Sequence, residues 1–121
     1  MSTWFRLYAQ KDDRMKTIMT MRRDNNGKPR LSLIPWLATQ SVADILHWAC
    51  TEKECPYPRD NWRKGGPVTD GVDSAMRHLV QFSLGIDNDT DSNLPHLAHA
   101  ACQILMLLEN IITGVAEDDR P

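Results

Sequence analysis

From Leu94 to Ile112 the chain runs through an apolar stretch broken at helical spacing by His96 and His99, and no other segment restricts the fold so strongly. Residues three apart share one face of a helix, so both imidazoles point the same way. Gln103 and Asn110 continue that polar face. The opposite face reads Leu97, Ala101, Ile104 or Leu105, Leu108 and Ile111, the stripe of a helix packed on a core. An imidazole among Leu, Ala, Ile and Met costs free energy unless its ring nitrogens find partners. The spacing therefore predicts a helix with one side in the core and the other facing a partly buried polar site.

Two further helices are predicted upstream. Pro35 opens the first, with Leu37, Ala38, Val42, Ile45, Leu46 and Ala49 on its core face, and it runs to about Glu52. Cys55-Pro56-Tyr57-Pro58 breaks it, and Asp60 to Pro67 forms a polar, glycine-containing loop. Thr69 or Asp70 caps the second, whose core face is Val72, Ala75 or Met76, Leu79 and Phe82. Gly85 stops it, and Pro95 starts the last. Three helices with few strand signals predict an all-α fold, a small helical bundle. Residues 22–113 make the helical domain, opened by turn chemistry at Asp24-Asn25-Asn26-Gly27. Residues 1–21, mixed polar and apolar, form an N-terminal arm, and 114–121 a frayed acidic tail.

Composition removes several classes of function. The 121 residues suffice for one core without staples, and 41% hydrophobic with 25% charged residues is the balance of a globular protein. A net charge of −2 argues against a nucleic-acid partner. Three cysteines form no even disulfide framework, which points to a reducing, cytoplasmic setting. No stretch has the length of a membrane span, so no membrane partner is expected.

The chemistry-bearing residues gather in the second half. The second predicted helix holds Asp73 four residues before Arg77, and Ser74 four before His78. The loop after it collects Asp87, Asp89 and Asp91, and the last helix adds His96 and His99. Carboxylates favour Mg²⁺ or Mn²⁺, and imidazoles tilt a mixed site toward Mn²⁺ or Zn²⁺. With Lys28, Arg30, Lys64 and Arg77 nearby in sequence order, such a site suits a polyphosphate substrate. Bland readings compete with each feature. Two histidines three apart fit a satisfied core pair equally well, and Asp73 with Arg77 fits an ordinary helix-surface pair. The alternating aspartates lack the glycine and glutamate of a calcium loop, and Lys64-Gly65-Gly66 has the wrong order for a phosphate loop. Trp62 reads as a core anchor or as a platform for a base.

Four blocks in order carry a resemblance. They are Arg23-Asp24-Asn25-Asn26-Gly27-Lys28-Pro29-Arg30-Leu31-Ser32-Leu33-Ile34-Pro35, Asn61-Trp62-Arg63-Lys64-Gly65, Asp73-Ser74-Ala75-Met76-Arg77-His78-Leu79, and the run from Gly85 through Leu94-Pro95-His96-Leu97-Ala98-His99. Together they resemble the phage dATP/dGTP diphosphohydrolases, a MazZ-type branch of the MazG-like all-α nucleotide pyrophosphohydrolases. The resemblance implies hydrolysis of a purine deoxynucleoside triphosphate, dGTP before dATP, to the mono- or diphosphate. The dGMP product would supply modified phage nucleotide synthesis in the host cytoplasm. It also implies Mg²⁺ or Mn²⁺, a water nucleophile, and a homo-oligomer, dimer or tetramer, whose neighbouring subunits complete the site.

On that resemblance Asp73, Asp89, His96 and His99 are the expected metal ligands, and Asp73, His78 and Glu52 the catalytic set. Lys28, Arg30, Lys64 and Arg77 are expected on phosphates, with Asn61, Trp62 and Asp87 completing the substrate pocket. The chain departs from MazG-type enzymes in lacking glutamate pairs on its second helix, where His96 and His99 stand in place of a glutamate–aspartate motif. Asp44 and Glu52, eight apart on the first helix, are the alternative carboxylates. The rival reading is a non-catalytic helical module that binds a nucleotide or a protein.

Overall fold

A computed structural model describes residues 20–121. The expected N-terminal arm lies, up to residue 19, outside the described residues. The chain divides into two compact units, residues 1–31 and 32–121. In the described part of the first, Lys28 N–H donates to the Asn25 carbonyl at 3.1 Å, closing a turn in which Gly27 takes a φ of 74°. Lys28 and Arg30 belong to this unit, and both are exposed.

The second unit is the expected small all-α bundle: α1 (Trp36–Thr51), α2 (Val68–Ser83) and α3 (His96–Thr113). Each helix follows a proline, Pro35, Pro67 and Pro95, that supplies no side-chain cap. Proline's fixed φ presets the entry to the helix, and its missing N–H would be unsatisfied there in any case. Thr69 and Asp70 are therefore not the cap of α2, as their side chains had suggested. The cap comes from the other end of the chain: the Asp119 carboxylate accepts from Thr69 N–H at 3.0 Å and from the Thr69 hydroxyl.

The tail is not frayed. Gly114, at a φ of 79°, ends α3 in the left-handed region. β2 (Ala116–Glu117) then pairs in parallel with β1 (Gly66–Pro67). Gly65 makes that approach feasible: a Cβ there would lie 2.0 Å from the Val115 carbonyl oxygen, and its φ is 83°.

α3 is the central element, packing on both α1 and α2. The core is formed by Val42 and Ile45 of α1 with Ala98 and Cys102 of α3, and Leu46, Leu94 and Met106 pack against it. The faces of α3 are the reverse of the expectation. His96 and His99 are buried, at 6% and 7% exposure, while Leu97, Ile104, Leu105, Leu108 and Ile111 are each about half exposed. On α2 only Ala75 of the expected core face is buried, and on α1 Leu37 is exposed. Ala98, Ala100 and Cys102 explain the reversal. Small side chains let α1 and α2 approach α3 closely on the histidine side, whereas periodicity measures only that a stripe is apolar, not what covers it.

Candidate metal and nucleotide site

The loop between α2 and α3 folds back on itself to present Asp89. Asp89 N–H donates to the Leu94 carbonyl at 2.9 Å, and Asn93 N–H returns to the Asp89 carbonyl at 2.8 Å. Asn93 absorbs the reversal with a φ of 57°, in the region that Asn tolerates best among residues with a Cβ. Asp89 Oδ1 accepts from Asp91 N–H at 2.8 Å and from Ser92 N–H at 3.2 Å, which fixes the carboxylate through one oxygen. The Asp87 carbonyl accepts the first amide of α3, from His96, at 2.8 Å. Asp87 thus contributes its main chain, and its side chain is exposed.

Three imidazoles face this carboxylate. His78 of α2 and His96 of α3 bring their Nδ1 atoms to 2.9 Å, and the His78 ring stacks on His99 at 4.5 Å with 10° between planes. Trp48 of α1 meets His99 edge-on at 5.8 Å. Ser92 Oγ accepts from Leu94 N–H at 3.1 Å and shares a hydrogen bond of 2.7 Å with His99 Nε2. Burial, as the largest cause, lowers the pKa of both His78 and His99, with the Asp89 charge opposing it. Burial alone would raise the Asp89 pKa. Hydrogen bonds from Ser92 and Asp91 N–H, with the charges of His99 and His78, reverse the sign and hold it low. These directions favour an ionised Asp89 and uncharged His78 and His99 rings, the forms in which such groups ligate metals.

His78, Asp89 and His96 each offer a ligand atom, all within 4.8 Å of one another. Bonds of about 2.2 Å hold ligand atoms roughly 3–4.4 Å apart, so the group would have to tighten around a cation. Two nitrogens and one oxygen form a donor set suited to a first-row divalent ion. His78, expected as a catalytic group, stands in this candidate group. Cys102 is no alternative nucleophile, because burial pushes its thiol up to about 11.

Two cavities flank the cluster and share His78 and Asp89 as a common wall. The first, about 570 Å³, is lined by Asp73, Met76, Arg77, Val80 and Gln81 as well as His96. Asp73 and Arg77 share it without forming an ion pair. The second, about 440 Å³, has aromatic and apolar walls from Trp48, Tyr57, Trp62, Ile45, Leu46 and Met106, with Asn61, Ser74, His99 and Gln103 as polar groups. Asn110 fixes its far end, donating from Nδ2 to the Trp62 carbonyl at 2.9 Å. Asn61 and Trp62 therefore stand with the histidines. Glu52 lines neither cavity; it borders a hollow of about 360 Å³ with Glu54 and Cys55 that shares Trp48, Lys53 and Asp91 with the aromatic cavity. Lys64 lines neither of the two larger cavities. Lys53, Tyr57 and Ser92 escaped the residue reading. Tyr57 sits in a stretch legible only as a helix breaker, and Ser92 acts through a loop fold that spacing does not reveal.

A carboxylate and imidazoles between an aromatic cavity and a polar one define a helical protein with room for a divalent cation beside a nucleotide-sized ligand. Residues 19–120 match the family described as dATP/dGTP diphosphohydrolase, N-terminal, and the chain belongs to that family. Over 102 residues it is 32% identical to the dATP/dGTP diphosphohydrolase of Salmonella phage PMBT28, a match covering 84% of this chain and 33% of that relative. The chain thus spans about a third of the length of the curated relative it matches. No solved structure matches. No helix among the described residues is long and apolar enough to cross a membrane.

Proposed function

We propose that this chain hydrolyses purine deoxynucleoside triphosphates, dGTP before dATP, with Mg²⁺ or Mn²⁺ held by His78, Asp89 and His96. The observation that carries the reading is the convergence of those three side chains on one point, between two cavities. The name of the phage relative supports the substrate class. A bound divalent cation neutralises phosphate oxygens and acidifies water. Ser92, through the stacked His99, holds His78 in place, Asp73 and Arg77 line one side of the phosphate path across the cluster, and Asn61 and Trp62 take the base or sugar. The product dGMP would serve modified-nucleotide synthesis.

The outer face of α3 supports a homo-oligomer. Leu97, Ile104, Leu105, Leu108, Ile111 and Ile112 run along it uninterrupted by charge. Five of them are about half exposed and Ile112 is 72% exposed, so together they present about 600 Å², close to the ~800 Å² that each partner of a stable complex buries.

Incubation with each deoxynucleoside triphosphate and Mg²⁺ or Mn²⁺, followed by chromatography, tests the reading. It requires mono- or diphosphate from a purine nucleotide. Intact nucleotides with both metals would favour a binding module.

A further inference from the structure

Beside the imidazole cluster stands a cation framed by aromatic rings. Lys53, just past the end of α1, holds its ammonium 5.6 Å from the Trp48 ring centre and 4.4 Å from that of Tyr57. It donates to the Tyr57 hydroxyl at 3.2 Å. Among the described residues no carboxylate lies within ion-pair distance of it. An ammonium carries three donors, so two remain for a ligand. Lys53 and Tyr57 both line the aromatic cavity, whose wall includes Asp89 and His99.

The backbone is bent to build this frame. Cys55 takes a φ of 55°, in the left-handed region that a residue with a Cβ adopts only at a cost. The reversal returns Tyr57 N–H to the Ala49 carbonyl at 3.0 Å, setting the ring against the last turn of the helix that carries Trp48. A solvated surface lysine requires no such support. Nor can the other cations do the same work here: Arg77 lines the opposite cavity, and Lys64 lines neither. A phosphate chain entering beside Asp89 and Asp91 meets repulsion that a nearby positive charge offsets.

We propose that Lys53, fixed between Trp48 and Tyr57, receives the phosphate chain of the nucleotide at the rim of the aromatic cavity, and so sets the preference for a triphosphate over the bare nucleoside. The inference rests on the hydrolase reading above and adds the cation that reading lacks on this side of the cluster.

Calorimetric titration of the Mn²⁺-loaded protein with inorganic tripolyphosphate, and separately with deoxyguanosine, tests it. Lys53→Ala should weaken tripolyphosphate binding about ten- to hundredfold, the range for a hydrogen bond between charged groups. Deoxyguanosine binding and the melting temperature should stay unchanged. Lys53→Arg should restore most of the loss, and in turnover Lys53→Ala should raise KM for dGTP more than it lowers kcat. Unchanged tripolyphosphate affinity, equal loss of both ligands, or a wild type that binds no tripolyphosphate would overturn the proposal. A wild type that binds tripolyphosphate through Lys53 but hydrolyses no nucleotide would remove the hydrolase reading and leave this anion site standing. Hydrolysis by the wild type together with normal tripolyphosphate binding by Lys53→Ala would do the reverse.

Discussion

The two faces of α3 obey opposite rules. The inner face carries His96, His99, Gln103 and Asn110, and is the covered one; the outer face carries Leu97, Ile104, Leu105 and Leu108, and is open. Burying imidazoles is affordable because each finds a partner. His96 meets His78, His99 meets Ser92, and Asn110 meets the Trp62 carbonyl. No buried side-chain nitrogen or oxygen among the described residues lacks a hydrogen-bond partner. An apolar stripe left open to water on a folded chain marks a surface for association rather than a core. In this helix the polar residues report the interior, and the apolar ones form the stripe on which the proposed association rests.

Mutations on the inner face should have the largest effect on activity. Asp89→Asn or His96→Ala should lower dGTP turnover by at least about a hundredfold, since each removes a proposed ligand to the cation, with circular dichroism unchanged. Normal product release from both variants would dissociate the cluster from the chemistry. The outer face is broken by Leu108→Glu, which should convert the oligomer to a monomer by light scattering. An unchanged mass would leave the stripe without its proposed role. The comparison is sharpened by two equal changes of volume on opposite faces. Ala98→Leu, at a buried position, should destabilise by about 1–3 kcal/mol through overpacking, whereas Ala101→Leu, at an exposed one, should stay within about 0.5 kcal/mol in a monomeric background. Urea titration of both decides which face is inside.

The smallest effect is that of pH. Burial depresses the pKa of His78 and His99 below the unfolded value of 6.5. Above that value both states are neutral and pH has no effect through these rings. As pH falls below it the unfolded chain takes up protons that the folded one resists, so stability declines until the folded pKa values are passed. Melting of the metal-free protein from pH 8 to 5.5 should show this loss beginning near 6.5, and Mn²⁺ should raise the melting temperature at the upper end. A flat profile would mean the rings are not desolvated.

Much of this was legible in the sequence. Pro35 and Pro95, Gly85 and the apolar periodicities gave three helices within a residue or two of their observed bounds. The spacing of His96 and His99 placed both rings on one face, and the polar positions of the second helix and the aspartate-rich loop after it brought His78 and Asp89 into consideration. The orientation of α3 was not legible, because the hydrophobic period is identical whether a stripe meets its own chain or another copy. The docked tail was hidden as well. Asp119 and Thr69 lie fifty residues apart, and an acidic terminus with an aspartate ordinarily reads as solvated. Lys53 and Tyr57 were masked by the left-handed bend at Cys55, which turns a proline-rich break into the wall of a cavity.

Mn²⁺ binding followed by electron paramagnetic resonance, on the wild type and Asp89→Asn alongside dGTP hydrolysis, tests the central claim most directly. The account predicts that the wild type binds the ion and that the single substitution weakens binding at least about tenfold while abolishing hydrolysis. Hydrolysis that persists in Asp89→Asn, or that survives complete removal of divalent ions by a chelator, would contradict it.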